Sequence, residues 1–481
     1  MDHSQKQLGI SAVKWALLDR FGSQVIVLIN TLLLARLLTP RDFGLIGILY
    51  IFMSLSSAFV DSGMGGGLIR KQDLTDTDCS TFFIFNIGVG VFFYVLLYFF
   101  APVVAHFYNE PILTMLLRIL GITVIINSFG LIQKVLLVKQ LKVKYVTRSS
   151  LFASFISTGI AITCALKGMG VWSLLILQIC QSLFNTFFLW RFSKWFPKLV
   201  FSKASFLELY SFGLGLFLTG LLNIMFANIY QPLIGKFFSI SYSGLFYQAK
   251  RLYEVPILTV SSVVDSITYP ILVKYQEDRK ELTENYQKIV KLLIFIVIPI
   301  IVGVSILSNH IVLVLLGKKW VASGDLLRVM SFSGLFLILE TINGSILKIE
   351  GRTKLIFKLE LIKKTIIIIN IIIFSQFGLM SLVYGMVVNS IISFGINQYF
   401  SKIRISSYKN ILMLLGNGAL MGVIIFGLTL VVHNRLLALL IGGVIGGLTY
   451  FIGAYLLKMQ EQKWLYMIIT KNLKPAASLS E

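Results

Sequence analysis

Apolar stretches about as long as a membrane-crossing helix follow one another along the whole chain, parted by short clusters of charged or turn-forming residues. A helix needs about 20 mostly apolar residues to cross the bilayer core. Fourteen stretches meet that length, at 13–38, 43–66, 79–104, 112–133, 148–166, 170–190, 206–234, 242–272, 289–316, 328–347, 359–376, 379–400, 410–432 and 436–457. The segment from Thr365 to Ser401 holds no charge over 37 residues, too long for one helix, and Gln376-Phe377-Gly378 supplies a turn near its centre. It divides into two spans, and the pattern as a whole predicts an all-α polytopic membrane protein.

Composition agrees: only 13% of the 481 residues are charged and 57% are apolar, whereas soluble domains carry about 25% charged residues. A net charge of +22 would invite a nucleic-acid reading in a soluble chain, but a basic groove needs a water-facing fold to carry it. The cations follow membrane topology instead. Lys and Arg are retained on the cytoplasmic side during insertion. With the N-terminus inside, thirty fall in alternate, cytoplasmic segments, the six from Lys348 to Lys364 among them, and eight on the opposite side. A missed or extra span in the middle would destroy that asymmetry, so both termini are expected to be cytoplasmic. No cleavable signal is expected, because the first apolar stretch is long and follows a polar N-terminus. Trp15, Trp172, Trp190 and Trp195 fall near span ends, as interfacial anchors do, and Trp320 falls in an outer loop.

One internal repeat stands out. Ala35-Arg36-Leu37-Leu38-Thr39 followed by Gly44-Leu45 matches Gly235-Lys236-Phe237-Phe238-Ser239 followed by Gly244-Leu245, at a constant offset of 200 residues. Duplicated halves are common in secondary transporters. The expected domains are an N-terminal lobe over 1–200 (helices 1–6), a C-terminal lobe over 201–405 (helices 7–12), helices 13–14 over 406–460, and a cytoplasmic tail over 461–481.

Catalytic constellations are missing from the sequence. His3, His106, His310 and His433 are scattered, and no HExxH, GxSxG or phosphate-loop motif occurs. Gly63-Met64-Gly65-Gly66-Gly67 lacks the Lys-Ser/Thr of a phosphate loop and reads as a turn and helix-packing element. Cys79, Cys164 and Cys180 lie in or beside apolar segments with no CxxC spacing, so neither a disulfide nor a metal is expected. The chain reads as a non-enzyme without a cofactor.

Several segments resemble the Wzx-type polysaccharide-repeat flippases of the MOP (multidrug/oligosaccharidyl-lipid/polysaccharide) exporter superfamily. The resemblance is carried by Ala35 to Pro40 with Phe43-Gly44; by Asp61-Ser62-Gly63-Met64-Gly65 leading to Arg70-Lys71; by Leu233 to Phe238 with Gly244 and Tyr247-Gln248-Ala249-Lys250-Arg251-Leu252; and by Leu316 to Trp320 with Gly351-Arg352. It implies a MATE-like fold of two six-helix lobes around a cavity that opens alternately to either side, plus two C-terminal helices. It also implies a bacterial inner-membrane protein that moves an undecaprenyl-diphosphate-linked oligosaccharide to the outer leaflet for O-antigen, capsule or exopolysaccharide assembly. Polymerase and chain-length machinery are the implied partners. Gln231 departs from the pattern, which commonly has an acid there.

Such a substrate carries an anionic diphosphate and needs fixed cations, and intramembrane cations are costly enough to be candidates for function. Five cations are counted to neither side and fall within assigned helices: Lys14, Arg20, Arg118, Lys250 and Arg251. Arg20, Lys250, Arg251, Lys14 and Tyr247 are the candidate substrate-binding residues, with Gln248, Tyr253 and Asn223 as further sugar contacts. Lys14 is close enough to its helix end to snorkel, and Arg118 is assigned a structural role. Asp19, Asp61, Glu254 and Asp265 are candidates for ion coupling or structural ion pairs, and Glu340 is a further buried acid. A multidrug cation antiporter of the same superfamily is the alternative, disfavoured by four cations against three acids on the first and eighth helices. A membrane glycosyltransferase or polymerase is disfavoured by the short outer loops.

Overall fold

The computed structural model describes residues 22, 26, 28–403 and 408–473. The side chains of a few helix residues, Asp265 among them, lie outside that description. The described residues are almost entirely helical. In chain order the helices are α1 (Leu28–Leu37), α2 (Pro40–Asp61), α3 (Met64–Arg70), α4 (Asp76–Tyr108), α5 (Ile112–Lys139), α6 (Val143–Leu166), α7 (Val171–Ser193), α8 (Lys203–Asn228), α9 (Tyr230–Phe237), α10 (Ile240–Val273), α11 (Arg279–Leu315), α12 (Val321–Ile349), α13 (Thr353–Ser375), α14 (Leu379–Ser401), α15 (Tyr408–Val431), α16 (Arg435–Leu456) and α17 (Gln460–Leu473).

Local chemistry sets many of these boundaries. Thr39 caps α2 by accepting from the Asp42 amide, Asp42 reaches back to the Thr39 amide, and Pro40 occupies the first helical position, where its missing N–H is no loss. Thr75 and Asp78 make the same reciprocal capping box on α4. Asp278 caps α11 through the amides of Lys280 and Glu281. Ser62, at φ 45°, ends α2, and Gly63, at φ 70°, turns the chain into α3.

Among the described residues ten helices are long and apolar enough to cross a membrane, and the protein is a multi-pass membrane protein. Helices α8, α10 and α13, at 26, 34 and 23 residues, are also long enough. The helices outrun the apolar stretches at several ends. Helix α11 starts ten residues before its expected span and α13 six residues before, because charged and amphipathic turns continue the helix beyond the hydrocarbon. One consequence is a correction: Lys363 and Lys364, counted with the cytoplasmic segments, lie in the middle of α13. A second concerns Trp320, which is no exposed anchor: it is fully buried beneath the turn between α11 and α12.

The chain divides into two compact units, Met1–Tyr247 and Gln248–Glu481, whose border falls inside α10. In the first unit α5 packs on α4 and α7, α6 on α7, and α8 on α2 and α3. Small residues permit this close packing, as is usual between membrane helices: a Cβ on Gly90 would lie 2.9 Å from Ser128 Oγ, and one on Gly130 2.9 Å from Thr186 Oγ1. Met64, Leu68, Phe82, Phe83, Ile132 and Leu209 form a core below these contacts. In the second unit α11 packs on α12, α15 and α16, and α14 on α12 and α13. Apolar side chains such as Phe99, Phe155 and Val423 are exposed, as befits surfaces whose solvent is lipid.

Candidate functional site

The two copies of the sequence repeat pack on each other. Ser239 accepts from the Tyr242 amide at 3.1 Å, as Thr39 accepts from the Asp42 amide, so the hydroxyl shared by the repeats is a helix cap in both. Five residues on, each copy has its glycine. A Cβ on Gly44 would lie 1.9 Å from the carbonyl oxygen of Ile240, and one on Gly244 would lie 1.8 Å from that of Pro40. Because 40 and 240, like 44 and 244, are equivalent repeat positions, the contact is reciprocal, as a local two-fold relation requires. Nearby, Tyr108 donates to the Pro232 carbonyl at 3.2 Å, and Arg41 pairs with Glu110 at 2.6 Å.

The other end of α2 is also closed. A Cβ on Gly63 would lie 2.3 Å from the Gly213 carbonyl oxygen, and one on Gly213 2.7 Å from the Gly63 carbonyl carbon. Beside this contact Lys71 bridges Asp78 and Glu208 at 3.0 and 2.9 Å, and Glu208 holds its ammonium above the usual lysine value. Lys139 donates to the Leu68 carbonyl at 2.8 Å and also to that of Lys71, which completes the C-terminus of α3. Phe59 stacks on Phe93 at 4.5 Å and meets Phe217 edge-on at 4.9 Å. With Ser62 and Tyr210 these rings line a cavity of about 490 Å³.

The intramembrane charges expected to bind substrate are only partly described. Lys14, Asp19 and Arg20 lie outside the described residues, as does the side chain of Asp265. On α10, Lys250 and Arg251 both approach Glu254, at 3.6 and 3.7 Å. One carboxylate is approached by two cations, at spacings i,i+4 and i,i+3. The Arg251 Nε is buried without a hydrogen-bond partner. Tyr247 meets the Phe43 ring at a centroid distance of 5.9 Å. The Gln248 amide is fully buried with neither atom partnered. Tyr253 accepts from the Ser333 hydroxyl at 3.0 Å. Asp61 is exposed at the end of α2.

Arg118 donates to the Tyr98 carbonyl at 3.2 Å and stacks over the Tyr98 ring at 4.2 Å. Gln231 is buried, and its Nε2 lies 1.7 Å from where a Cβ on Gly47 would be, so the amide fills the space that this glycine leaves. The departure from an acid therefore coincides with tight packing. Sequence reasoning missed the charged group around Lys363, which accompanies Glu340 and Glu360 inside the second unit. The Glu360–Lys363–Lys364 spacing and the acid Glu340 were its available signals.

A family described as "Polysaccharide biosynthesis protein" matches residues 33–325. The chain belongs to this family. It is 27% identical over 431 residues to the teichuronic acid biosynthesis protein TuaB of Bacillus subtilis (strain 168), covering 88% of this chain and 89% of that one. It is 24% identical over 423 residues to the lipopolysaccharide biosynthesis protein WzxC of Escherichia coli (strain K12), covering 85% and 84%. Among solved structures, the lipid II flippase MurJ in an inward closed conformation shares the fold at a TM-score of 0.77 and 18% identity, covering 92% of this chain and 98% of that one. An inward-facing MATE-family multidrug transporter shares it at 0.61 and 12% identity, covering 82% and 96%.

Proposed function

We propose that this protein is a flippase that moves an undecaprenyl-diphosphate-linked oligosaccharide repeat unit from the cytoplasmic to the outer leaflet of a bacterial inner membrane by alternating access, supplying O-antigen, capsule or exopolysaccharide assembly. One coincidence carries this reading: a polysaccharide-biosynthesis family match over 33–325 in a chain whose fold is that of a lipid II flippase. The chemistry of α10 supports it. Lys250 and Arg251 lie together on α10 beside Glu254, and cations suit a diphosphate, with arginine able to make paired contacts to phosphate oxygens. A cavity for organic cations would be net acidic instead.

In this reading the chain spans the membrane fourteen times, with α8, α10, α13 and a first helix ending in α1 joining the ten apolar spans, and both termini are cytoplasmic. Two lobes, 1–200 and 201–405, correspond to the repeat. Helices α15 and α16 are additions, and α17 belongs to the cytoplasmic tail. Transport, not bond chemistry, is the activity. Arg20, Lys14, Lys250, Arg251 and Tyr247 contact the substrate, and Asp19, Asp61, Glu254 and Asp265 balance its charge or couple ions. Polymerase and chain-length proteins are the downstream partners.

The deciding experiment is the sidedness of lipid-linked oligosaccharide in a strain depleted of this protein. Accumulation confined to the inner leaflet is expected. Unchanged sidedness with increased sensitivity to cationic drugs would replace the flippase by an antiporter.

A further inference from the structure

A lysine inside a membrane protein needs a reason, and Lys363 has two carboxylates around it. Helix α13 is 23 residues long, about 34 Å at 1.5 Å per residue, and Lys363 lies about 15 Å from its first residue. The turn Glu350–Arg352 reverses the chain, so Glu340, nine residues before the end of α12, reaches the same level, about 14 Å in. The apolar part of α13 begins six residues in, at 359, so against a bilayer core about 30 Å thick Lys363 lies about 6 Å inside the nearer boundary, with Glu340 about 10 Å from the end of its own apolar stretch at 347.

The Lys363 side chain is 5% exposed. Its Nζ donates to Glu340 Oε1 at 2.7 Å and also to Glu360 Oε1. Lys364 approaches the other oxygen of Glu360 at 3.7 Å. Helix α14 also packs on α13, but its segment Leu379–Ser401 contains no Asp, Glu, Lys, Arg or His and only Tyr384 and Tyr399 as titratable groups. On α12 the remaining charges, Asp325, Arg328 and Lys348, lie towards the two ends. The groups facing Lys363 are therefore Glu340 from the neighbouring helix and Glu360 from its own. The exposed apolar face of α13, from Phe357, Leu361 and Ile362 to Ile368, Ile369, Ile372 and Ile373, is centred about 160° round the helix from Lys363, so the ammonium points into the protein.

Two carboxylates from two helices that meet on one compact monovalent charge are the arrangement that binds a small inorganic cation, with an ammonium at its centre. Lysine is suited to that place because its charge is point-like and its three donors can reach several oxygens. We propose that the Lys363 ammonium is a built-in monovalent cation that occupies, between Glu340 and Glu360, the position a sodium ion would take, so that α12 and α13 are held together without a bound metal. The wild-type protein then needs no sodium for this contact. Truncating Lys363 leaves two carboxylates facing one another with only Lys364, 3.7 Å from Glu360, beside them, and the pair takes up a cation, takes up a proton or separates.

The test uses purified full-length protein in detergent, melted in sodium chloride and in choline chloride at equal ionic strength and neutral pH. A ligand that binds only the folded state raises the melting temperature by mass action. Wild type is expected to melt alike in both salts. Lys363→Ala is expected to melt higher in sodium chloride than in choline chloride, and a further Glu340→Gln is expected to abolish that difference. Should Lys363→Ala not fold, Lys363→Gln takes its place with the same expected sodium shift. A lysine variant that melts equally in both salts, or a sodium shift already present in wild type, would overturn the proposal. No lipid-linked sugar enters this assay, so its outcome is separate from that of the flippase reading.

Discussion

Gly244 lies so close to Pro40 that a Cβ on the glycine would stand 1.8 Å from the proline carbonyl oxygen. The same relation, moved by 200 residues, joins Gly44 to Ile240 at 1.9 Å. In both cases the neighbour is backbone that also begins a capped helix, so it has little room to yield. Gly244→Ala and Gly44→Ala should each destabilise the protein by about 1–3 kcal/mol, the usual cost of overpacking. The double variant should be less than additive, because the two glycines share one contact. Gly159→Ala is the control: nothing lies within 4 Å of its added Cβ, and an alanine inside a helix gains about 0.8–1 kcal/mol over glycine. Melting temperatures of the purified variants decide the matter, and an unchanged Gly244→Ala would refute the reading of this contact.

Gly47 provides a graded comparison. Its added Cβ would meet the Gln231 amide, the mobile end of a side chain, at 1.7 Å. Gly47→Ala should therefore cost less than Gly244→Ala. Gln231→Glu, in contrast, would place a carboxylate in a buried slot whose amide nitrogen already lacks a partner, and an uncompensated buried charge costs several kcal/mol. The level of folded protein in membranes should fall more for Gln231→Glu than for Gly47→Ala.

Lys71 joins α8 to the start of α4, but its two acids differ in exposure. The Asp78 side chain is 2% exposed and that of Glu208 60%. Glu208→Ala should cost less than about 1 kcal/mol, as for exposed pairs. Asp78→Ala also removes the capping box of α4, and should cost at least about 1–2 kcal/mol more. The lysine's raised value has a sign: its stabilisation is complete below the unfolded value, about 10.4, and is lost as pH rises through the higher folded one. In Glu208→Ala the alkaline fall in melting temperature should begin at lower pH than in wild type. Coincident alkaline limbs would mean that Glu208 does not hold the Lys71 proton.

Arg251 and Lys250 share Glu254, so their replacement tests the anion-binding role. Arg251→Ala should lower surface polysaccharide at matched protein level by about tenfold, equivalent to about 1.4 kcal/mol, and Arg251→Lys should retain more activity because charge, though not the paired geometry, survives. Glu254→Gln should be milder than either alanine variant of the cations. Normal output from Arg251→Ala and Lys250→Ala alike would remove α10 from the substrate path.

Much of the fold was legible one residue at a time. Whether a segment suits lipid depends on its own length and polarity, so the expected spans 379–400 and 436–457 fall within a residue of α14 and α16. The caps at Thr39 and Thr75 are likewise local, because a hydroxyl three residues before an acid satisfies neighbouring amides without help from elsewhere. The candidate site was less legible. Lys363 was counted with a loop because its neighbours Lys354, Lys358 and Lys364 give the segment a polar average, while the helix runs straight through it.

The sequence by itself determined a multi-pass helical membrane protein, a 200-residue repeat and a surplus of cations on alternate loops, since each is a property of order and composition along the chain. Only the tertiary structure decided that the repeat glycines touch each other's partner backbone, that Gln231 occupies the space beside Gly47, and that Lys363 finds a carboxylate on another helix. Those facts depend on which helix faces which and at what height. Apolar periodicity leaves that choice open, because lipid and a neighbouring helix are alike to an apolar side chain, and close backbone contacts together with buried charge pairs settle it.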